Sequence, residues 1–200
     1  MRAAVAHVAG DSRRDPDQRV LLHGVSWQRF LDVLAARGDG SAVRITYLAG
    51  ELELMSPSFS HETIKKTIAR LVEAYADELD LDLYGVGSWT LKNKLKKLGI
   101  EPDECYSLGK PSRVPELAIE VIWTSGGLDK LEVYRGLGVR EVWVWKQEKL
   151  AAYLLRDDHY VRAARSRLLP GLDLALVARL ACRPDQPVAV RELRAELRRR

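Results

Sequence analysis

The sequence predicts an α/β fold: a mixed central β-sheet flanked by helices, preceded by an N-terminal helix and a β-hairpin. Three observations carry that expectation. Helix and strand patterns follow one another as helix, hairpin, helix, strands, helix and further strands. An amphipathic stretch after Ser60 sets Ile64, Ile68, Leu71, Val72, Tyr75 and Leu79 against Lys66, Arg70, Glu73 and Asp77. The run from Leu117 to Trp123 is an apolar strand with one acid, Glu120, inside it.

Two hundred residues, 46% apolar and 30% charged, make one ordinary domain and exclude a disordered or fibrous chain. The expected division is a flexible lead-in over 1–24, a single domain over 25–182 and a basic C-terminal helix or tail over 183–200. The lead-in mixes alanine with Arg, Asp and Pro. Ser26 then caps a helix bearing Trp27, Phe30, Leu31 and Leu34, which Gly38-Asp39-Gly40 ends. Val43–Tyr47 and Glu51–Met55 flank Ala49-Gly50 as a hairpin, stopped by Pro57. Ser60-His61-Glu62-Thr63 opens the long helix.

After Asp80 the chain reads as β over Leu81–Val86 and Ser88–Leu91, followed by a lysine-rich segment from Lys92 to Lys97. Ile100–Leu108 is a strand carrying Pro102-Asp103-Glu104. Beyond the 117–123 strand, Gly126-Gly127 precedes a short helix over Leu128–Leu137, closed by Gly138. Arg140–Lys146 is a strand with Val142 and Val144 alternating with Trp143 and Trp145. A ribbon around Leu150–Leu155 and Tyr160–Ala163, then two short helices after Pro170-Gly171, finish the chain.

A net charge of +4, from 32 basic and 28 acidic residues, permits a polyanionic partner without announcing one. Two cysteines make neither a disulfide framework nor a zinc cluster. No apolar run is long enough to span a bilayer, and the N-terminus lacks a secretory signal pattern, so a cytoplasmic protein with no membrane partner is expected. No Walker loop, dinucleotide-binding fingerprint or nucleophile elbow is present.

Four residues stand out for chemistry. Glu120 shares a strand face with Ala118 and Ile122; an ionised carboxylate there needs a salt bridge or a cation. Asp103 lies a loop and part of a strand earlier, so adjacent strands can bring the two acids together. Side by side they repel unless one protonates or a divalent cation binds, and removing one is expected to stabilise the metal-free protein. Lys130 falls roughly 10° from the centre of the stripe formed by Leu131, Val133, Tyr134 and Leu137, aimed at the sheet. It either meets an anion such as Glu120 or snorkels to the edge. His61 lies on the buried side of the long helix, able to bind a metal or to cap and pack, while Glu62 points to the polar side. Trp123, Trp143 and Trp145 read as sheet-face packing in preference to a base-stacking platform.

Several runs together resemble the Uma2 family (DUF820) of restriction-endonuclease-like proteins. They are Gly50-Glu51-Leu52 with Met55-Ser56-Pro57 and His61-Glu62, then Glu101–Tyr106, Pro115–Val121, Asp129–Tyr134 and Gly138–Trp143. The resemblance covers roughly residues 26 to 180. It implies a restriction-endonuclease-like core of the PD-(D/E)xK nuclease superfamily and a metal-dependent DNA endonuclease activity. It further implies Asp103 and Glu120 as ligands of Mg²⁺ or Mn²⁺. Ile122 stands where such enzymes carry a lysine, and Lys130 matches the lysine that the family often places on the following helix. Asp103, Glu120 and Lys130 are thus the implied catalytic residues, with Glu51, His61 and Glu62 supporting them. Lys92, Lys94, Lys96 and Lys97 are candidate phosphate contacts, or else a solvated basic loop. DNA is the implied partner, and a homodimer suits the cutting of two strands. The alternative is a catalytically inactive nuclease-fold module that binds nucleic acid or a protein.

Overall fold

The computed structural model describes residues 15–38, 40, 42–124 and 127–199. In chain order the elements are β1 (Gln18–Leu22), α1 (Trp27–Arg37), β2 (Arg44–Leu48), β3 (Glu51–Ser56), α2 (Phe59–Glu78), β4 (Leu83–Gly85), β5 (Leu91–Asn93) and β6 (Leu98–Ile100). There follow β7 (Glu104–Leu108), β8 (Leu117–Ile122), α3 (Lys130–Leu137), β9 (Glu141–Lys146), β10 (Lys149–Arg156), β11 (His159–Ala163), α4 (Leu174–Ala181) and α5 (Gln186–Leu197).

These strands form two sheets. The first is antiparallel, in the order β1-β3-β2-β6-β5; the second is mixed, in the order β11-β10-β9-β8-β7-β4. Within the second sheet β8 and β9 run parallel, with α3 as their crossover. A parallel pair cannot be joined by a tight turn, so the chain must leave the sheet there and return.

Strand alternation explains the layers. Leu117, Ile119 and Val121 of β8, with Trp143 and Trp145 of β9, face Ile68, Leu71 and Val72 of α2, and Val177 of α4 and Leu193 of α5 close that cluster. Ala118 and Val142 face the other way, against Val133 and Tyr134 of α3 and Leu98 and Ile100 of β6. The first sheet therefore lies over the second through α3 and β6. Its outer face packs Ile45, Tyr47 and Leu52 on Phe30 of α1. Trp123 stacks on Trp145 at 5.9 Å, as sheet-face packing requires.

The expected mixed α/β architecture is the one observed. The helix from Ser26 and the 44–56 hairpin fall where the sequence places them, with Ser26 Oγ accepting from Arg29 N–H. The long helix begins earlier than Ser60, because Ser58 Oγ takes the His61 N–H at 3.2 Å as its N-cap. The crossover helix begins at Lys130, not Leu128, because Asp129 is its cap.

Three expectations need correction. The predicted lead-in is not free of structure: Gln18–Leu22 pairs antiparallel with β3, while residues 1–14 lie outside the described residues. Its Val20, Leu21 and Leu22 remain exposed, so no alternation marks the strand. The expected strand over Ile100–Leu108 is two strands in different sheets. Pro102 lacks the N–H that a continuous ladder needs, and the chain crosses between sheets at residues 101–103. The β regions expected over 81–86 and 88–91 shrink to β4 and β5, and the lysine-rich segment is β5 with its turn into β6. Of the two forms expected for the basic C-terminal segment, the helix is the one present: α5 buries Ala189 and Leu193 against α2.

Candidate active site

Alternation in β8 turns Glu120 toward α3, where its side chain is 1% exposed. The Lys130 ammonium donates to Glu120 Oε2 at 2.5 Å, and the Tyr134 hydroxyl donates to Oε1. Lys130 and Tyr134 stand four residues apart on α3 and so share one helix face. Asp129 caps that helix and Gly138, at φ 80°, ends it, which fixes the face on the sheet.

Asp103 sits in the link between β6 and β7. Glu104 pairs with Ile119 in the β7–β8 ladder, and continuing that register sets Asp103 opposite Glu120. Asp103 Oδ2 accepts the Val121 N–H at 2.8 Å. Its Oδ1 lies 3.1 Å from His61 Nε2 and 3.9 Å from Arg44 Nε.

His61, on the first turn of α2, is fully buried and lies between two acids. Its Nδ1 is 3.2 Å from Asp17 Oδ2, opposite the Asp103 contact at Nε2. Asp17 Oδ1 in turn accepts the Ser58 N–H at 3.0 Å. The segment before β1 is tied down further by Asp15 Oδ2, which accepts from Ser60 N–H, and by the Trp123 indole N–H, which donates to Asp15 O. Asp17, His61 and Asp103 thus form one row across three distant parts of the chain.

The electrostatics follow from burial opposed by pairing. Burial alone would raise the Asp103 carboxyl; the adjacent His61 charge, with help from Lys130 and the Val121 N–H, holds it well below the usual carboxylate range. Burial would lower His61, but Asp103 and Asp17 push it up to about 9. For Glu120 burial prevails: its carboxyl is raised, the nearby Asp103 charge adding to the effect and Lys130 opposing it. Burial would lower Lys130, yet Glu120, Asp103 and Glu53 together raise it, so the ammonium stays protonated.

A cleft of about 310 Å³ opens over this pair, bounded by Glu53, Glu120, Lys130, Leu131, Val144 and Tyr153 among others. Glu53, 2% exposed, was not singled out by sequence reasoning. It lies on the inward face of β3 and accepts the Leu128 N–H at 2.9 Å, holding the approach to α3. That contact needs Gly127: its φ is +94°, and a Cβ there would collide with the Glu53 carboxylate.

The remaining sequence-predicted residues fall differently. Glu62 stays near the site, ion-paired with Lys65 and 3.6 Å from Arg44. Glu51 is not brought in: it sits at the hairpin turn, 38% exposed, paired with His23. Its direction follows from position, two residues short of Glu53 and beyond the cleft. Lys92, Lys94, Lys96 and Lys97 are all exposed, and Lys96 donates to Gly136 O at 2.9 Å, the opposite end of α3 from Lys130.

A divalent cation is implied by the fold family. The donor chemistry fits a hard ion: Asp103 and Glu120 are adjacent buried carboxylates, and Glu53 borders the cleft that Glu120 lines. Among the described residues, no three His, Cys, Asp or Glu side chains stand together as a ready ligand shell. Two carboxylates suffice for Mg²⁺, which keeps most of its waters.

Comparisons with known proteins bear on the family and the fold. The sequence profile of the Uma2 family, described as "Putative restriction endonuclease", matches residues 27–182. No curated protein matches the chain. Among solved structures, the fold is similar to a protein of Anabaena variabilis ATCC 29413 described as a putative nuclease belonging to DUF820. The TM-score is 0.50 at 10% identity, over 77% of this chain and 99% of that one. At that identity the likeness speaks for the fold.

Proposed function

We propose, because the chain belongs to the Uma2 family and sets Asp103 beside Glu120 beneath a cleft, that it is a divalent-metal-dependent endonuclease hydrolysing phosphodiester bonds in DNA. The observation that carries this reading is the buried Lys130–Glu120 contact at 2.5 Å, next to Asp103. Burying an ammonium and two carboxylates against an otherwise apolar sheet is expensive. A purely structural domain gains little from it that well-packed apolar residues would not supply.

Asp103 and Glu120 would hold the Mg²⁺ or Mn²⁺. When bound, the ion supplies polarisation of the phosphoryl oxygen and an acidified water. Lys130 stays charged, so its part is to stabilise negative charge growing on the phosphate; a role as base does not suit it. His61 keeps Asp103 ionised and fixes its direction. Leu131 and Val144 make the cleft wall apolar, which strengthens each charge interaction within it.

The test is plasmid DNA incubated with the purified protein in Mg²⁺ or Mn²⁺, beside EDTA and Asp103→Ala controls. Metal-dependent nicking lost in both controls is the expected result. No cleavage and no metal-induced rise in Tm would sink the reading. One observation favours a second reading, a catalytically inactive nuclease-fold module: all four carboxylate oxygens of Asp103 and Glu120 already face a protein partner. Such a module binds nucleic acid with steep salt dependence and never cuts it.

A further inference from the structure

Three basic side chains border the cleft, and they differ in what they already hold. Arg19 donates to Thr124 O at 2.7 Å and lies 3.7 Å from Asp17. Lys130 is bound to Glu120 and is 15% exposed. The Lys146 side chain is exposed and takes part in no ion pair or hydrogen bond among the described residues.

Its position is set by register. Lys146 ends β9, and in the parallel β8–β9 ladder its Cα partner is Ile122, two residues beyond Glu120. Alternation along β9 sends Trp143 and Trp145 into the helix-side core, so Val142, Val144 and Lys146 share the cleft face. Adjacent strands are about 4.8 Å apart, and a lysine stem reaches beyond that distance. Lys146 therefore lines the cleft at the carboxyl ends of the parallel strand pair.

We propose that Lys146 is a phosphate-binding residue, receiving a backbone phosphate of the nucleic acid at the rim of the Glu120–Lys130 cleft. The inference rests on the nuclease reading and sharpens it, by running the phosphate backbone over the end of β9 and away from the lysine-rich turn between β5 and β6. An unpaired cation is free to trade its hydration for a phosphate. Lys130 would first have to leave Glu120.

The experiment measures binding of a fluorescent 20-base-pair duplex and its single strand, in EDTA and in Ca²⁺, across a KCl series. Lys146→Ala is expected to weaken binding several-fold and to lower the slope of log K against log[salt] by about 1. Lys146→Glu should weaken it further, and Lys146→Arg should restore it. Because the side chain is exposed, Tm should not move. A Lys94→Ala/Lys97→Ala variant should lose less affinity than Lys146→Ala. If Lys146→Ala keeps wild-type affinity and slope while wild type binds, the inference is overturned and the nuclease reading survives. The same holds if the turn variant loses more than Lys146→Ala. If the wild type binds neither strand form in either condition, the nuclease reading falls and takes this inference with it.

Discussion

Asp103, just before β7, stands opposite Glu120 of β8 in the continued register, and both are 1% exposed, yet they are held in contrasting ways. Glu120 draws its partners from the next helix: Lys130 and Tyr134 are ten and fourteen residues away. Asp103 draws on His61 and Arg44, each more than forty residues away, and through His61 on Asp17 at the start of the described chain. One acid is held by a local unit; the other, beyond the Val121 N–H it accepts, is held by the assembly of β2, α2 and the segment before β1. Placing a residue in the second kind of site ties the chemistry to the whole fold.

The largest expected effect separates the two. Both Asp103→Ala and Glu120→Ala should reduce cleavage to background, but their costs in stability should differ. Two acids considered alone would repel, and removing either would stabilise the metal-free protein. The structure reverses that expectation, because each acid has its own cation. Without Asp103, the fully buried His61 loses the chief support of its charge and Arg44 a nearby carboxylate, a loss of about 3–5 kcal/mol. Without Glu120, Lys130 can turn into the cleft, leaving mainly the Tyr134 hydroxyl unsatisfied, at about 1–3 kcal/mol. Urea unfolding in EDTA measures the difference. Equal losses would mean that the two acids are held alike.

The same contrast explains what was legible in the sequence. The local half was: the strand phase of Glu120 and the helical phase of Lys130 are periodicities within one segment, and they point at each other. The order of elements and the mixed sheet were legible for the same reason. The distant half was not. Nothing around Asp17 signals that it faces His61, because that contact exists only once β1 has paired with β3. Glu53 was hidden differently. It shares a strand face with Glu51, two residues away, and only the position of the hairpin turn decides which of the two reaches the cleft. The division of residues 100–108 between two sheets had one visible cue, Pro102, whose effect depends on where the two sheets lie.

Lys130→Ala tests the local half at the next scale. Cleavage should fall about 10²–10³-fold, the usual cost of removing one group that stabilises transition-state charge. The rise in Tm on adding Mg²⁺ or Mn²⁺ should persist, because both carboxylates remain. Single-turnover rates and metal titrations of Tm separate the two readouts. Unchanged turnover would remove Lys130 from the chemistry and leave it as a partner that neutralises Glu120.

The smallest effects set neighbours on β3 against each other. Glu51 is 38% exposed and pairs with a His23 that is 71% exposed, so Glu51→Ala should change stability by no more than about 0.5 kcal/mol and leave cleavage as it is. Glu53→Ala removes the buried acceptor of the Leu128 N–H and one of the charges that keep Lys130 protonated. That variant should lose about 1–3 kcal/mol and slow cleavage without abolishing it, since Asp103, Glu120 and Lys130 are all intact. Chemical denaturation and nicking assays of the two variants, run side by side, measure this. If Glu51→Ala matched Glu53→Ala in both readouts, the hairpin would be acting as one unit, and the inward face of β3 would lose its special place in the site.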